Sequence, residues 1–179
     1  MATPSILQVP ESNPLRVIGI DPGLTVTGYA VLDPSRRGPY VVEAGVIRPR
    51  SATKSLAERL ATLHGGILEV LDAYPPGAVA LEQVHSHVRH PRTAILMAHA
   101  RGVIMLAAEL RGIEVFGYAA ARIKKTLTGS GKAPKIQMQH AVQVELKLEH
   151  LPEPHDVADA CAVALCHYQI RKNRQAFEG

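Results

Sequence analysis

Four carboxylates stand where a solvated charge is an odd choice. Asp21 ends the apolar run "LRVIGID", and Glu82 sits near the end of "AVALEQV". Asp156 and Asp159 open "HDVADACAVALCH", residues 155–167, which is otherwise almost wholly apolar. An unpaired carboxylate buried in such a segment is costly, or is driven to take up a proton. The i,i+3 spacing of Asp156 and Asp159 places both on one face of a helix. Four acids brought together without matched bases repel one another, and a divalent cation resolves that conflict. Oxygen-only ligands favour Mg²⁺ or Mn²⁺ over zinc.

Each acid also has an ordinary reading. Asp156 suits a helix N-terminus, where negative charge is stabilising. Asp21, before Pro-Gly, suits a turn, and Glu82 has Arg89 and Arg92 as available partners. Asp159 is hardest to explain this way, because it lies a full turn inside the apolar helix.

The elements that must position these acids follow from periodicity. "LRVIGID", "TGYAVLD" and "YVVEAGVIR" are predicted as three strands spaced for antiparallel hairpins. "SLAERLATLHGGILEVLDAY" has helical spacing, with Leu56, Leu60, Leu63, Ile67, Leu68 and Leu71 on one face. A strand "AVALEQV", a helix over about Pro91–Arg111 and a strand "IEVFGY" come next. The short helix "AARIKKTLT", the loop "GSGKAPK" and a helix to about His150 precede the closing helix. Three strands followed by alternating helices and strands predict an α/β fold, a mixed sheet flanked by helices. Residues 1–14 are expected as a loose extension, 15–172 as one domain and 173–179 as a tail, the last helix being followed by the basic run "RKNRQ".

Bulk properties agree with one globular domain. The chain has 179 residues, 46% hydrophobic and 20% charged, which excludes a disordered class. Its net charge of +4 suits a polyanionic partner without specifying one. Cys161 and Cys166 fit neither a zinc pattern nor a disulfide framework, and are read as reduced core residues. No apolar run reaches membrane-span length, and the N-terminus lacks a secretory pattern, so cytoplasmic residence is expected.

Between Glu114 and Glu145 there is no acid, while Arg122, Lys124, Lys125, Lys132 and Lys135 all occur. A merely solvated basic face usually carries interspersed acids, so this segment points to phosphate contact. "GSGKA" fails as a nucleotide P-loop, because Thr126 and Ala133 stand where that pattern needs Gly and Ser or Thr. The histidines His85, His87, His90 and His99 have no spacing that fixes a metal geometry.

Taken together, "VIGIDPGLTVTGYAVLD", "ALEQV", "AHARGVIMLAAELRGIEVFGYAAARIKKTLTGSGKAPKIQMQHAV" and "HDVADACAVALCH" resemble the RuvC family of Holliday junction resolvases, in order, from about Arg16 to His167. The resemblance implies a ribonuclease-H-like mixed five-stranded sheet. It implies a homodimer that nicks two opposing strands of four-way junction DNA, in recombination and repair. By motif its catalytic, metal-holding acids fall on Asp21, Glu82, Asp156 and Asp159, with two Mg²⁺ per site and Mn²⁺ as a substitute. It further implies DNA contact at Lys124 and Lys135, with Lys125, Lys132 and Arg122 nearby, and a branch-migration motor as partner. His85 stands where relatives often carry an aromatic residue that stacks on a base.

Two other readings compete with this one. A junction-binding module without catalysis would do better without four acids facing DNA. An actin-like ATPase, suggested by "GIDPG" alone, needs two lobes, and this chain has room for one.

Overall fold

The computed structural model describes residues 13–48, 55–84 and 91–178. His85, which falls between the second and third of these segments, lies outside the described residues, as do His87, Arg89 and His90.

Five strands form one sheet. They are β1 (Asn13–Asp21), β2 (Thr27–Asp33), β3 (Tyr40–Ile47), β4 (Pro76–Glu82) and β5 (Val115–Tyr118), in the order β3-β2-β1-β4-β5. β1, β2 and β3 are antiparallel neighbours, whereas β4 and β5 run parallel to β1. This is the mixed sheet expected from the strand pattern, with the five strands that the resemblance implies.

Alternation along the strands divides the core. Val17, Ala30, Leu32 and Ala80 face α5 (His155–Glu178), with α3 (Ala120–Thr128) and α4 (Lys135–Glu145) packed behind. Ile18, Ile20, Val31, Val79 and Leu81 face α1 (Leu56–Ala73) and α2 (Pro91–Glu109). α1 starts where Ser55 and Glu58 form a reciprocal capping box. Cys161 and Cys166 are free and buried, and burial pushes the Cys161 thiol up to about 12, which leaves it inert. No helix among the described residues is long and apolar enough to cross a membrane.

Several element ends differ from the sequence reading by two residues or more. β1 begins at Asn13, two residues into the expected extension. α4 stops at Glu145 rather than near His150, because Lys147 takes a left-handed φ of 53° and the Leu148 amide turns back to the Gln143 carbonyl. α5 continues through the expected tail to Glu178, since "RKNRQ" contains no glycine or proline to end it.

Candidate active site

The acids come together at one end of the sheet. Asp21 and Glu82 are the last residues of β1 and β4, adjacent parallel strands whose preceding residues Ile20 and Leu81 are in register. Strand ends of this kind are where α/β sheets bind ligands. Asp156 lies in the first turn of α5, and Asp159 follows one turn later. Asp156 therefore satisfies its ordinary reading as a helix-start acid while also facing the cluster.

Two glycines let α5 lie against the sheet. A Cβ built on Gly28, the residue paired with Asp21 across β1 and β2, would overlap the Asp156 carbonyl oxygen. A Cβ on Gly19 would overlap the α5 backbone at Ala160. Nothing larger fits either place, and the close approach brings the helix acids to Asp21. Gln139 on α4 adds a second support, its side-chain nitrogen lying 2.7 Å from His155 Nδ1 at the start of α5.

The electrostatics record the crowding. Burial first, then the charges of Glu82, Asp159 and Asp156, push the Asp21 carboxyl up to about 7, and Lys135 opposes them. Lys135 Nζ donates to Asp159 Oδ2 at 2.9 Å, and that bond raises the lysine's own pKa. In this arrangement no three His, Cys, Asp or Glu side chains among the described residues converge tightly enough to hold a metal ion. The carboxylates repel, and Asp159 takes the Lys135 ammonium as counter-charge. The donor set still fits a divalent cation: it is all oxygen, and Asp21 carries a charge that its neighbours disfavour until more positive charge arrives.

Depressions open on both sides of the acids. One, of about 280 Å³, is lined by Glu82, Asp159, Lys124 and Lys135. The other, of about 480 Å³, is lined by Asp21, Asp156, Thr25, Arg59 and Thr93. The acids thus stand between the two. Of the basic residues singled out by sequence, Lys124 and Lys135 border the acids. Lys125 and Lys132 are exposed without joining that wall, and Arg122 lines a different depression.

Sequence reasoning missed Arg59. Its guanidinium donates to the Leu24 carbonyl at 3.2 Å and to Thr25 Oγ1 at 3.0 Å, holding the loop that follows Asp21. Thr27 fastens the same loop through bonds with Gly23. The helical stripe of α1 gave no hint of this role, because Arg59 lies beside the apolar face rather than on it.

Comparison with known proteins gives the chain its relatives. The family model described as "Crossover junction endodeoxyribonuclease RuvC" matches residues 17–167. A protein of that description from Rhodopirellula baltica is 51% identical over 159 residues, covering 88% of each chain. The structure of Thermus thermophilus RuvC in complex with Holliday junction substrate superposes with a TM-score of 0.82 at 31% identity, covering 89% of this chain and 96% of that one. A fowlpox virus resolvase shares the fold, with a TM-score of 0.55 at 13% identity over 86% of this chain and 99% of that one.

Proposed function

The chain belongs to the RuvC family of crossover junction endodeoxyribonucleases, and on that premise we propose that it resolves Holliday junctions by paired, symmetric nicks on opposing strands. Such an activity serves homologous recombination and DNA repair. The observation that carries the reading is the meeting of Asp21, Glu82, Asp156 and Asp159 between two depressions, one of them walled by Lys124 and Lys135.

Asp21, Glu82, Asp156 and Asp159 are the groups that would hold the metal, two Mg²⁺ per site with Mn²⁺ as a substitute. When bound, divalent metal supplies the activation of water and the stabilisation of the leaving 3′ oxygen that phosphodiester hydrolysis needs. The chain's own part is positional. Asp21 and Glu82 are fixed by paired strands, and Asp156 and Asp159 by a helix seated on glycine. Lys124 and Lys135, which share a wall with Glu82 and Asp159, would hold a phosphate against the acids, and that phosphate would give the Lys135 ammonium an alternative to Asp159. Lys125, Lys132 and Arg122 extend the basic surface on which the DNA arms would lie.

A homodimer belongs to the same reading. Ile95, Gly102 and Leu106 fall on one face of α2; Ile95 is 56% and Leu106 54% exposed, and a Cβ on Gly102 would meet nothing. A second copy covering this stripe would place two sites about a two-fold axis, matching the symmetry of a four-way junction. Loading by a branch-migration motor and a cytoplasmic setting are carried by the family alone.

The test uses a labelled synthetic four-way junction with Mg²⁺. Wild type is expected to give paired nicks and ligatable duplexes, while Asp159→Asn binds the junction and leaves it whole. Binding without cutting by wild type, in Mg²⁺ and in Mn²⁺ and across varied junction sequences, would instead favour the binding module.

A further inference from the structure

A depression of about 540 Å³ lies away from the four acids, along β5 at the sheet edge and against the second half of α5. His167 forms part of its wall and is only 4% exposed. The His167 ring packs 4.6 Å from that of Phe116, and its Nδ1 lies 2.9 Å from the Tyr118 hydroxyl. The other ring nitrogen, Nε2, is buried with no partner in the protein. A buried polar atom left unpaired is costly, and natural structures leave few of them without a ligand, a water or a role.

The surroundings say what that partner carries. Arg171 and Arg174 follow His167 on the same face of α5, at i+4 and i+7, and Arg122 enters from α3. Glu114 is the sole acid in the wall. Arg171 donates to the Pro14 carbonyl at 3.1 Å, and none of the three arginines pairs with a carboxylate among the described residues. Three guanidinium groups around a buried imidazole make a site for an anion with several acceptor oxygens.

We propose that this cavity binds a phosphate group, at a place separate from the catalytic acids. The arginines hold its oxygens at the cavity surface, and His167 Nε2–H, closed to solvent in this arrangement, donates to one of them after a small shift of the ring, while the Tyr118 hydroxyl donates to Nδ1 and so fixes the tautomer. Burial and the charges of Arg171 and Arg174 lower the His167 pKa to about 4, so the ring is neutral near pH 7 and carries the single proton this arrangement needs. The phosphate has two chemical sources. It is either a phosphodiester of a DNA arm crossing α3 from Lys124 to Arg122, or a free phosphate ester such as a nucleotide. No residue of the acid cluster takes part in the site, so the free-ester form stands apart from the cleavage reading, whereas the DNA-arm form rests on it through Arg122.

The test follows the His167 ring resonances of the full-length protein by NMR during titration with inorganic phosphate, dAMP and a short duplex, without divalent metal. A saturable shift is expected, weakened at least about tenfold in Arg171→Gln/Arg174→Gln by loss of the charge-assisted bonds. Arg174→Gln alone, an exposed position, guards against misfolding of the double variant and is expected to weaken binding in the same direction. Saturation by dAMP with no response to duplex identifies a free ester as the ligand. A response to duplex, with weaker duplex binding in the variants, identifies the DNA arm. The proposal fails if none of the three probes moves His167, or if the folded variants respond as wild type does.

Discussion

Gly28 lies directly under the Asp156 carbonyl, so the first turn of α5 rests on a residue with no side chain, in register with Asp21. One backbone contact thereby sets how closely a helix acid approaches a strand acid. In Gly28→Ala the new methyl must displace the α5 backbone, at a cost of about 1–3 kcal/mol as over-packing. The expected result is a lower melting temperature together with a fall in junction cleavage that exceeds any loss of junction binding. Gly65→Ala is the matched control. A Cβ there meets nothing, and relief of a mid-helix glycine adds about 0.5–1 kcal/mol. Equal cleavage by the Gly28 and Gly65 variants would remove the positioning role.

Lys135 bonds Asp159 within the same wall that Lys124 shares. If both lysines contact phosphate, Lys124→Ala and Lys135→Ala each weaken junction binding across all sequences. Each should also reduce the slope of log K against log salt by about one. Lys125→Ala and Lys132→Ala, lying outside that wall, should change the slope less. Binding isotherms over a salt series decide this, and four equal slopes would dissolve the distinction.

Asp21 is disfavoured as an anion by burial and by three neighbouring acids. Asp21→Asn removes the charge and keeps the shape. Without divalent metal the variant is expected to melt at a higher temperature than wild type, and added Mg²⁺ should raise its melting temperature less. Its cleavage rate should fall at least about a hundredfold while junction binding persists. Thermal melts in EDTA and in Mg²⁺, beside a cleavage assay, provide both readouts. A wild type whose melting temperature ignores Mg²⁺ and Mn²⁺ would count against the metal reading.

The strands, their hairpin order and the apolar face of α1 were legible because apolar periodicity reports burial, although Leu56 at the start of that face is 38% exposed. The acids were legible for the opposite reason, since Asp159 violates the periodicity of its helix. The seating of α5 was not. Gly28 reads as any strand glycine until the partner it touches, some 130 positions along the chain, is known. Arg59 escaped notice because its bonds to Leu24 and Thr25 join α1 to a loop that sequence spacing does not connect to it. His167 was passed over inside an apolar run, where its orphaned nitrogen and the arginines around it are visible only in three dimensions.

The dimer reading makes its own demand on α2. Leu106, near the end of α2, and Leu110, just past it, are four residues apart and 54% and 60% exposed, an arrangement that leaves apolar surface in water unless another chain covers it. Leu106→Lys/Leu110→Lys puts two charges on that face and fills none of the core, so the domain itself should fold and melt much as wild type does. Light scattering is expected to report a dimer for wild type and a monomer for the variant. Cleavage of a supercoiled plasmid that extrudes a cruciform then tests the consequence. Two sites held on one two-fold axis cut both strands within one encounter and yield linear DNA. A lone subunit cuts once and leaves nicked circles. A variant that stays dimeric would show that α2 is not the interface, and a monomeric variant that still yields linear product would show that pairing of the nicks does not need one.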